Sequence, residues 1–111
     1  MEIENFIKAW IVAGNQYNTE KYLNFYLPDA ILDDVSVGKK FIAHKGIKNY
    51  FESYFIGYRT QTVLTSLTIN DDSHAHIEVA FSGDFPEGEI GGKFDFTFKD
   101  GKISFVLADL L

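Results

Sequence analysis

The spacing of apolar residues differs between the long segments on either side of residue 57, and that difference limits the folds open to this chain. Before residue 57, apolar side chains recur every three or four residues over residues 3–13 and 46–56, which predicts two amphipathic helices. After it, apolar and polar residues alternate, which predicts strands. These strands cover residues 60–70, 73–85, 91–99 and 102–111. Helices followed by such a meander indicate an α+β fold in which a bent sheet covers the helices.

Two smaller elements lie between the long helices. Asn18 can cap a short second helix, which would carry Tyr26 and end at Pro28. Residues 30–37 then alternate as a strand, and a glycine turn leads into a second strand over residues 40–43. The order is therefore helix, helix, hairpin, helix and meander.

Composition restricts the partners of the chain. Its 111 residues suit a single domain, 1–111, and the absence of cysteine excludes disulfides and thiolate chemistry and suits the cytoplasm. The net charge is −6, and no run of Lys and Arg is longer than Lys39-Lys40, so we expect no nucleic-acid partner. No apolar run is long enough for a membrane span. The glycine-rich stretch 86–93 lacks the features of a phosphate loop, and we expect no cofactor.

Two short motifs suggest a family. They are D-A-x-L-D-D after the second helix and H-K-G-I-x-x-Y-F at the start of the third. With the order of elements, they resemble the nuclear transport factor 2-like superfamily in its SnoaL-like branch. The resemblance implies a cone-shaped α+β barrel, in which three N-terminal helices pack in a strongly curved, mostly antiparallel sheet around a pocket. Ketosteroid isomerases, polyketide cyclases, dehydratases and epoxide hydrolases use such pockets.

Asp34 is the leading candidate for a catalytic group. The resemblance places it where ketosteroid isomerases carry the carboxylate that moves a proton. Strand alternation agrees, because Asp34 shares a face with Leu32 whereas Asp33 faces the other way. The alternative is a strand-end carboxylate that accepts backbone N–H bonds at the turn. Trp10 and Phe94 stand where those isomerases place their two proton donors, so the resemblance does not extend to steroid isomerisation.

Asp109 is a second candidate acid. It alternates with Ile103, Phe105 and Leu107, so the spacing predicts that it faces inward on the last strand. It would then either pair with Asp34 inside the cavity or lie exposed near the C-terminus.

Other candidate residues concern ligand contact. His44 precedes the third helix and would either donate to a ligand at the cavity mouth or bond local backbone. The residues expected to line the pocket are aromatic: Trp10, Tyr50, Tyr54, Phe94 and Phe96. The same rings could instead fill the space, which would give a non-catalytic binding or dimerisation module.

His74, His76 and Glu78 form H-x-H-x-E on one face of a strand, a spacing that can hold a metal. However, Ala75 and Ile77 take the inner face, so the histidines should face outward, and we predict no metal site.

The last strand is apolar on both faces, which indicates that a partner covers its outer side. We therefore expect a homodimer that binds a small, largely apolar molecule, with proton transfer by Asp34.

Overall fold

The computed structural model describes all 111 residues and confirms the α+β class. Its helices are α1 (Ile3–Asn15), α2 (Thr19–Asn24) and α3 (Ala43–Phe51), and α3 continues into a π-helical segment, Glu52–Ile56. Its strands are β1 (Tyr26–Asp34), β2 (Lys39–Ile42), β3 (Gln61–Asp71), β4 (His74–Ser82), β5 (Glu89–Lys99) and β6 (Lys102–Leu110). No helix has both the length and the apolar character needed to cross a membrane.

The six strands form one curved mixed sheet in the order β2-β1-β6-β5-β4-β3. Only β1 and β6 run parallel; α3, its π-helical segment and the four strands β2 to β5 lie between them in the chain and form the long connection that a parallel pair needs. The ends of the sheet, β2 and β3, do not pair with each other. The sheet is therefore not closed into a barrel, and the predicted packing of three helices in a strongly curved, mostly antiparallel sheet is confirmed.

Side-chain caps mark the starts of α1 and α2. The Glu2 carboxylate accepts hydrogen bonds from the backbone N–H groups of Glu4 (3.1 Å) and Asn5 (2.9 Å), where α1 begins. Asn18 caps α2 through the N–H of Lys21 at 3.1 Å, as the sequence predicts.

The second helix is shorter than its pattern suggests. It ends at Asn24, and Tyr26 opens β1, so the prediction that Pro28 ends this helix is wrong. Pro28 lies within β1, where pairing with β6 is interrupted between Tyr26 and Ile31. The interruption suits proline, which has no N–H to donate to a neighbouring strand.

A bulge in β6 changes which side chains face the helices. Phe98 pairs with Ile103 and Thr97 pairs with Phe105, so Ser104 is an extra residue in the strand. After it the alternation is reversed: Val106 and Ala108 are buried, while Phe105, Leu107 and Asp109 lie on the outer face. The prediction that Asp109 faces inward is therefore wrong, because one inserted residue moves every later side chain to the opposite face.

The core lies between the three helices and the inner face of the sheet. It contains 22 buried residues, and Trp10 on α1 is 2% exposed. The edges of the Phe94 and Phe96 rings meet the Trp10 ring at centroid distances of 5.1 and 5.2 Å. The interior of the cone next to α1 is thus filled by aromatic rings.

Candidate functional site

A cavity of about 260 Å³ opens where the C-terminal ends of β1, β4 and β6 meet α3. Nine of its twelve lining residues are hydrophobic, and six of those are aromatic. The lining consists of Asp34, Ser36, Val37, Tyr50, Tyr54, Phe55, Tyr58, Thr60, Phe81, Phe85, Ile90 and Leu110. An apolar wall with a few polar groups is the usual composition of a small-molecule site.

Asp34 supplies the only charged side chain of this lining. It is the last residue of β1 and is 7% exposed, so its predicted inward orientation is confirmed. Its Oδ1 accepts hydrogen bonds from the N–H and the Oγ of Ser36, at 2.9 and 2.6 Å. Its Oδ2 accepts none within the chain and is not sealed from the cavity. One oxygen of the carboxylate therefore holds the turn, and the other is free to meet a ligand.

Tyr50 on α3 also lines the cavity, and its hydroxyl group is a second polar group of the wall beside Asp34. Burial raises the pKa of Tyr50 well above its ordinary value, and the negative charge of Asp34 raises it further. The Tyr50 hydroxyl makes no hydrogen bond within the chain. The only fully buried side-chain polar atom without a partner is Thr62 Oγ1, so the Tyr50 hydroxyl is not fully buried. The Tyr50 hydroxyl is therefore a neutral donor that is open to the cavity.

The π-helical segment places the remaining tyrosines. The Gly57 N–H bonds the Glu52 carbonyl at 2.9 Å, which closes a wider turn than an α-helix has. Tyr54 lies within this turn and Tyr58 follows it, and both side chains line the cavity. Thr60 Oγ1 donates to the Tyr54 carbonyl at 2.8 Å, which satisfies a helix-end carbonyl. Wide turns of this kind often mark functional sites, and here the turn brings a row of rings to one wall.

Three of the predicted pocket residues do not line the cavity. Trp10, Phe94 and Phe96 are at most 2% exposed and pack against one another in the core, so the prediction that they contact a ligand is wrong for this structure. Trp10 Nε1 donates to the Tyr26 hydroxyl at 3.1 Å, and that hydroxyl donates to Tyr22 at 2.8 Å. Burial raises the pKa of both tyrosines, which keeps them neutral. The indole therefore has a structural partner and is not left free for a ligand.

His44 and Asp109 do not join Asp34. The Nε2 atom of His44 lies 2.9 Å from the Tyr26 carbonyl, so the ring is tied to backbone; this backbone belongs to β1 and is not the local backbone that the structural alternative named. Asp109 accepts a hydrogen bond from the N–H of Leu110 at 2.8 Å on the outer side of β6. Neither residue lines the cavity, so the structure does not contain the predicted group of Asp34, Asp109 and His44.

Comparison with known proteins gives the fold. No protein-family model matches the sequence, and no curated protein matches it. A candidate polyketide cyclase from Sinorhizobium meliloti superposes with a TM-score of 0.84 at 19% identity, covering 94% of this chain and 93% of that one. The epoxide hydrolase/cyclase-like enzyme SalBIII, with a role in pyran ring formation in salinomycin, gives 0.84 at 15% identity over 97% and 89% of the two chains.

A third similar structure contains a small molecule. It is a protein from Catenulispora acidiphila with a ketosteroid isomerase-like fold, in complex with trimethylamine. Its TM-score is 0.80 at 13% identity, over 93% of this chain and 82% of that chain. This chain has the nuclear transport factor 2-like fold. At these identities the likeness shows the nuclear transport factor 2-like fold and not the activity.

The predicted outward orientation of the histidines is confirmed on the outer face of this nuclear transport factor 2-like sheet. His76 Nδ1 lies 2.7 Å from Asp95 Oδ1, and His74 Nδ1 lies 2.9 Å from Asp71 Oδ1. The hydrogen bond to Asp95 raises the pKa of His76, with a smaller effect in the same direction from Glu78. The structure brings no three histidine or carboxylate groups into an arrangement that could hold a metal ion.

Sequence reasoning placed only Asp34, Tyr50 and Tyr54 of this wall in the pocket and missed the nine other lining residues. The missed residues are Ser36, Val37, Phe55, Tyr58, Thr60, Phe81, Phe85, Ile90 and Leu110. Tyr58 follows Tyr54 by four residues, a spacing that could have indicated a shared face. Leu110 could not be found, because the bulge at Ser104 sets its orientation. Phe55 and Phe81 lie within a helix and a strand whose inward faces were predicted, whereas the others lie in or beside turns, where periodicity carries no information on direction.

Proposed function

We propose that this chain is a cytoplasmic protein that binds a small, largely apolar molecule in the cavity, where Asp34 takes a proton from it. The proposal rests on one observation: two polar groups face the same cavity on an otherwise apolar wall. Asp34 presents a free carboxylate oxygen, and Tyr50 presents a hydroxyl that burial and the neighbouring charge keep protonated. A base and a neutral donor that face one cavity are the minimum for moving a proton on a carbon acid.

The chemistry follows from these two groups. Asp34 would accept a proton from a carbon beside a carbonyl group, and the Tyr50 hydroxyl would donate a hydrogen bond to the carbonyl oxygen as negative charge develops there. Asp34 would then return the proton to the same or another carbon of the molecule. This sequence describes an isomerase or the proton-transfer step of a cyclase or dehydratase.

The similar structures support the first part of the proposal. Two of them are described as cyclase-type proteins, and a third was solved in complex with a small molecule, trimethylamine. The size of the cavity agrees with a small ligand, since sites for drug-sized molecules span about 300–1,000 Å³ and this one has about 260 Å³.

The experiment follows exchange of the acidic C–H protons of 2-tetralone in D2O by NMR. The wild-type chain should accelerate exchange above the buffer rate, and Asp34→Asn should reduce that acceleration by about 100-fold or more. Asparagine can still accept both hydrogen bonds from Ser36, so the variant should fold, which circular dichroism checks.

Asp33→Asn is the matched control, because it removes the same charge from the other face of the same strand. It should leave exchange unchanged. If Asp34→Asn retains the wild-type rate, Asp34 is not the base.

A second candidate function is a binding module without chemistry. The filled interior favours it, because Trp10, Phe94 and Phe96 occupy the space in which a larger substrate would lie. Amide chemical-shift changes at cavity residues on adding 2-tetralone, with no exchange above the buffer rate, would identify this function.

We also propose that the outer face of the sheet forms a homodimer. Phe105 on β6 pairs with Ile31 on β1, and Leu107 follows two residues later on the same face, opposite Asp33; the three apolar side chains are partly exposed and form an apolar strip on that face. Sedimentation at micromolar concentration should show a dimer, and Leu107→Glu should convert it to a monomer, whereas Val12→Glu at an exposed site on α1, away from the sheet, should not. A monomeric wild-type profile would contradict the dimer.

A further inference from the structure

We propose that the molecule bound in the cavity carries a positive charge, as an amine or a quaternary ammonium on an apolar body. This inference rests on the proposed function, whose cavity it uses. It is carried by the joint placement of an unpaired buried carboxylate and six aromatic rings in a cavity without a basic side chain.

The charge of Asp34 has no counterion within the chain. The residue as a whole is 7% exposed, and the ion pairs of the structure, Lys8–Glu4, His74–Asp71 and His76 with Asp95 and Glu78, do not include it. A buried carboxylate that faces no cation is costly, because it loses hydration without a compensating charge. A cationic ligand would supply that charge at the free Oδ2.

The basic residue opposite Asp34 in the hairpin is already placed elsewhere. Lys39 pairs with Asp34 in the register of β1 and β2, but its Nζ lies over the Phe41 ring, 5.1 Å from the centroid. Lys39 is exposed and does not line the cavity. No Lys, Arg or His is among the twelve lining residues, so an anionic ligand would meet only repulsion from Asp34.

The rings of the wall suit a cation better than they suit a neutral polar group. Tyr50, Tyr54, Tyr58, Phe55, Phe81 and Phe85 line the cavity. Aromatic rings attract ammonium groups electrostatically, and sites for quaternary ammonium ions are commonly built from several rings. The hydroxyl groups of Ser36 and Thr60 are engaged with Asp34 and with the Tyr54 carbonyl. The wall therefore offers a ligand one negative charge, ring surface and tyrosine hydroxyls.

A positive charge is compatible with proton transfer in the same cavity. A cationic nitrogen further increases the acidity of a C–H bond beside a carbonyl group, so it assists proton transfer to the Asp34 carboxylate. The same Asp34 can thus attract the ligand and act on it.

The test compares phenyltrimethylammonium with tert-butylbenzene, its uncharged isostere, by amide chemical-shift titration of the isotope-labelled chain. The cation should bind at least ~10-fold more tightly. Asp34→Asn should abolish that preference, and Asp33→Asn should preserve it.

Equal affinity for the two probes would overturn the inference, as would no binding of the cation or an unchanged preference in Asp34→Asn. In Asp33→Asn the preference for the cation should decrease by no more than the small, salt-screened effect that a distant charge has. Binding of the isostere without preference for the cation would leave the proposed pocket standing. If neither probe nor 2-tetralone changes any amide chemical shift, the cavity is not a ligand-binding pocket.

Discussion

Replacing Trp10 with alanine should lower the free energy of unfolding by about 3–5 kcal/mol, the largest single-residue effect that we expect. The indole is almost fully buried, meets Phe94 and Phe96 edge to face, and donates a hydrogen bond to Tyr26. Its removal leaves a void between α1 and the sheet and an acceptor without its donor. Urea denaturation followed by circular dichroism measures the change, since the chain has no other tryptophan for fluorescence.

Val12→Ala is the control for this prediction. Val12 lies on the same helix and is 52% exposed, so its truncation should change stability by no more than about 0.5 kcal/mol. Trp10→Phe retains a ring and should fall between the two. A Trp10→Ala variant as stable as Val12→Ala would mean that this part of the core is not packed as described.

Replacing Gly57 with alanine should destabilise the chain by about 1–3 kcal/mol, because it adds a methyl group where the backbone leaves no room. A Cβ at residue 57 would lie 2.5 Å from the Ser53 carbonyl oxygen and 3.3 Å from that of Glu52. The φ of Gly57 is −59°, so strain in its own backbone is not the cause. The π-helical turn must shift, and Tyr54 and Tyr58 move with it. Chemical denaturation measures the loss of stability.

Gly14→Ala provides a matched control in α1. A Cβ there would meet Phe51, Phe55 and Tyr22 at 3.9 to 4.0 Å, which is ordinary contact. Because alanine favours a helix over glycine by about 0.5–1 kcal/mol, this variant should be as stable as the wild type or more so. If Gly57→Ala and Gly14→Ala change the stability of the chain equally, the π-helical turn does not depend on the close backbone approach at Gly57.

Much of the fold could be predicted because local spacing reflects which face of an element is buried. The apolar stripe of α1 and the alternation in β4 both appear directly in the sequence, and both face the core in the structure. Asp34 was placed correctly for the same reason, since β1 runs without interruption from Ile31 to Asp34.

The candidate site could be predicted only in part. Asp34, Tyr50 and Tyr54 line the cavity, but Asp109 does not, because one extra residue at Ser104 reverses the alternation of β6. Spacing along one strand does not record a bulge, since the bulge depends on pairing with β5.

The sequence by itself determined the order of elements, the inward face of most of them and the carboxylate that reaches the cavity. Tertiary structure alone decided where the cavity lies. Trp10, Phe94 and Phe96 point inward as their spacing requires, but they fill the cone because α1 and β5 bring them into contact, whereas Tyr50 and Tyr54 face the cavity. Whether an inward ring meets another ring or a void depends on the volumes of side chains from distant parts of the chain, which periodicity does not encode.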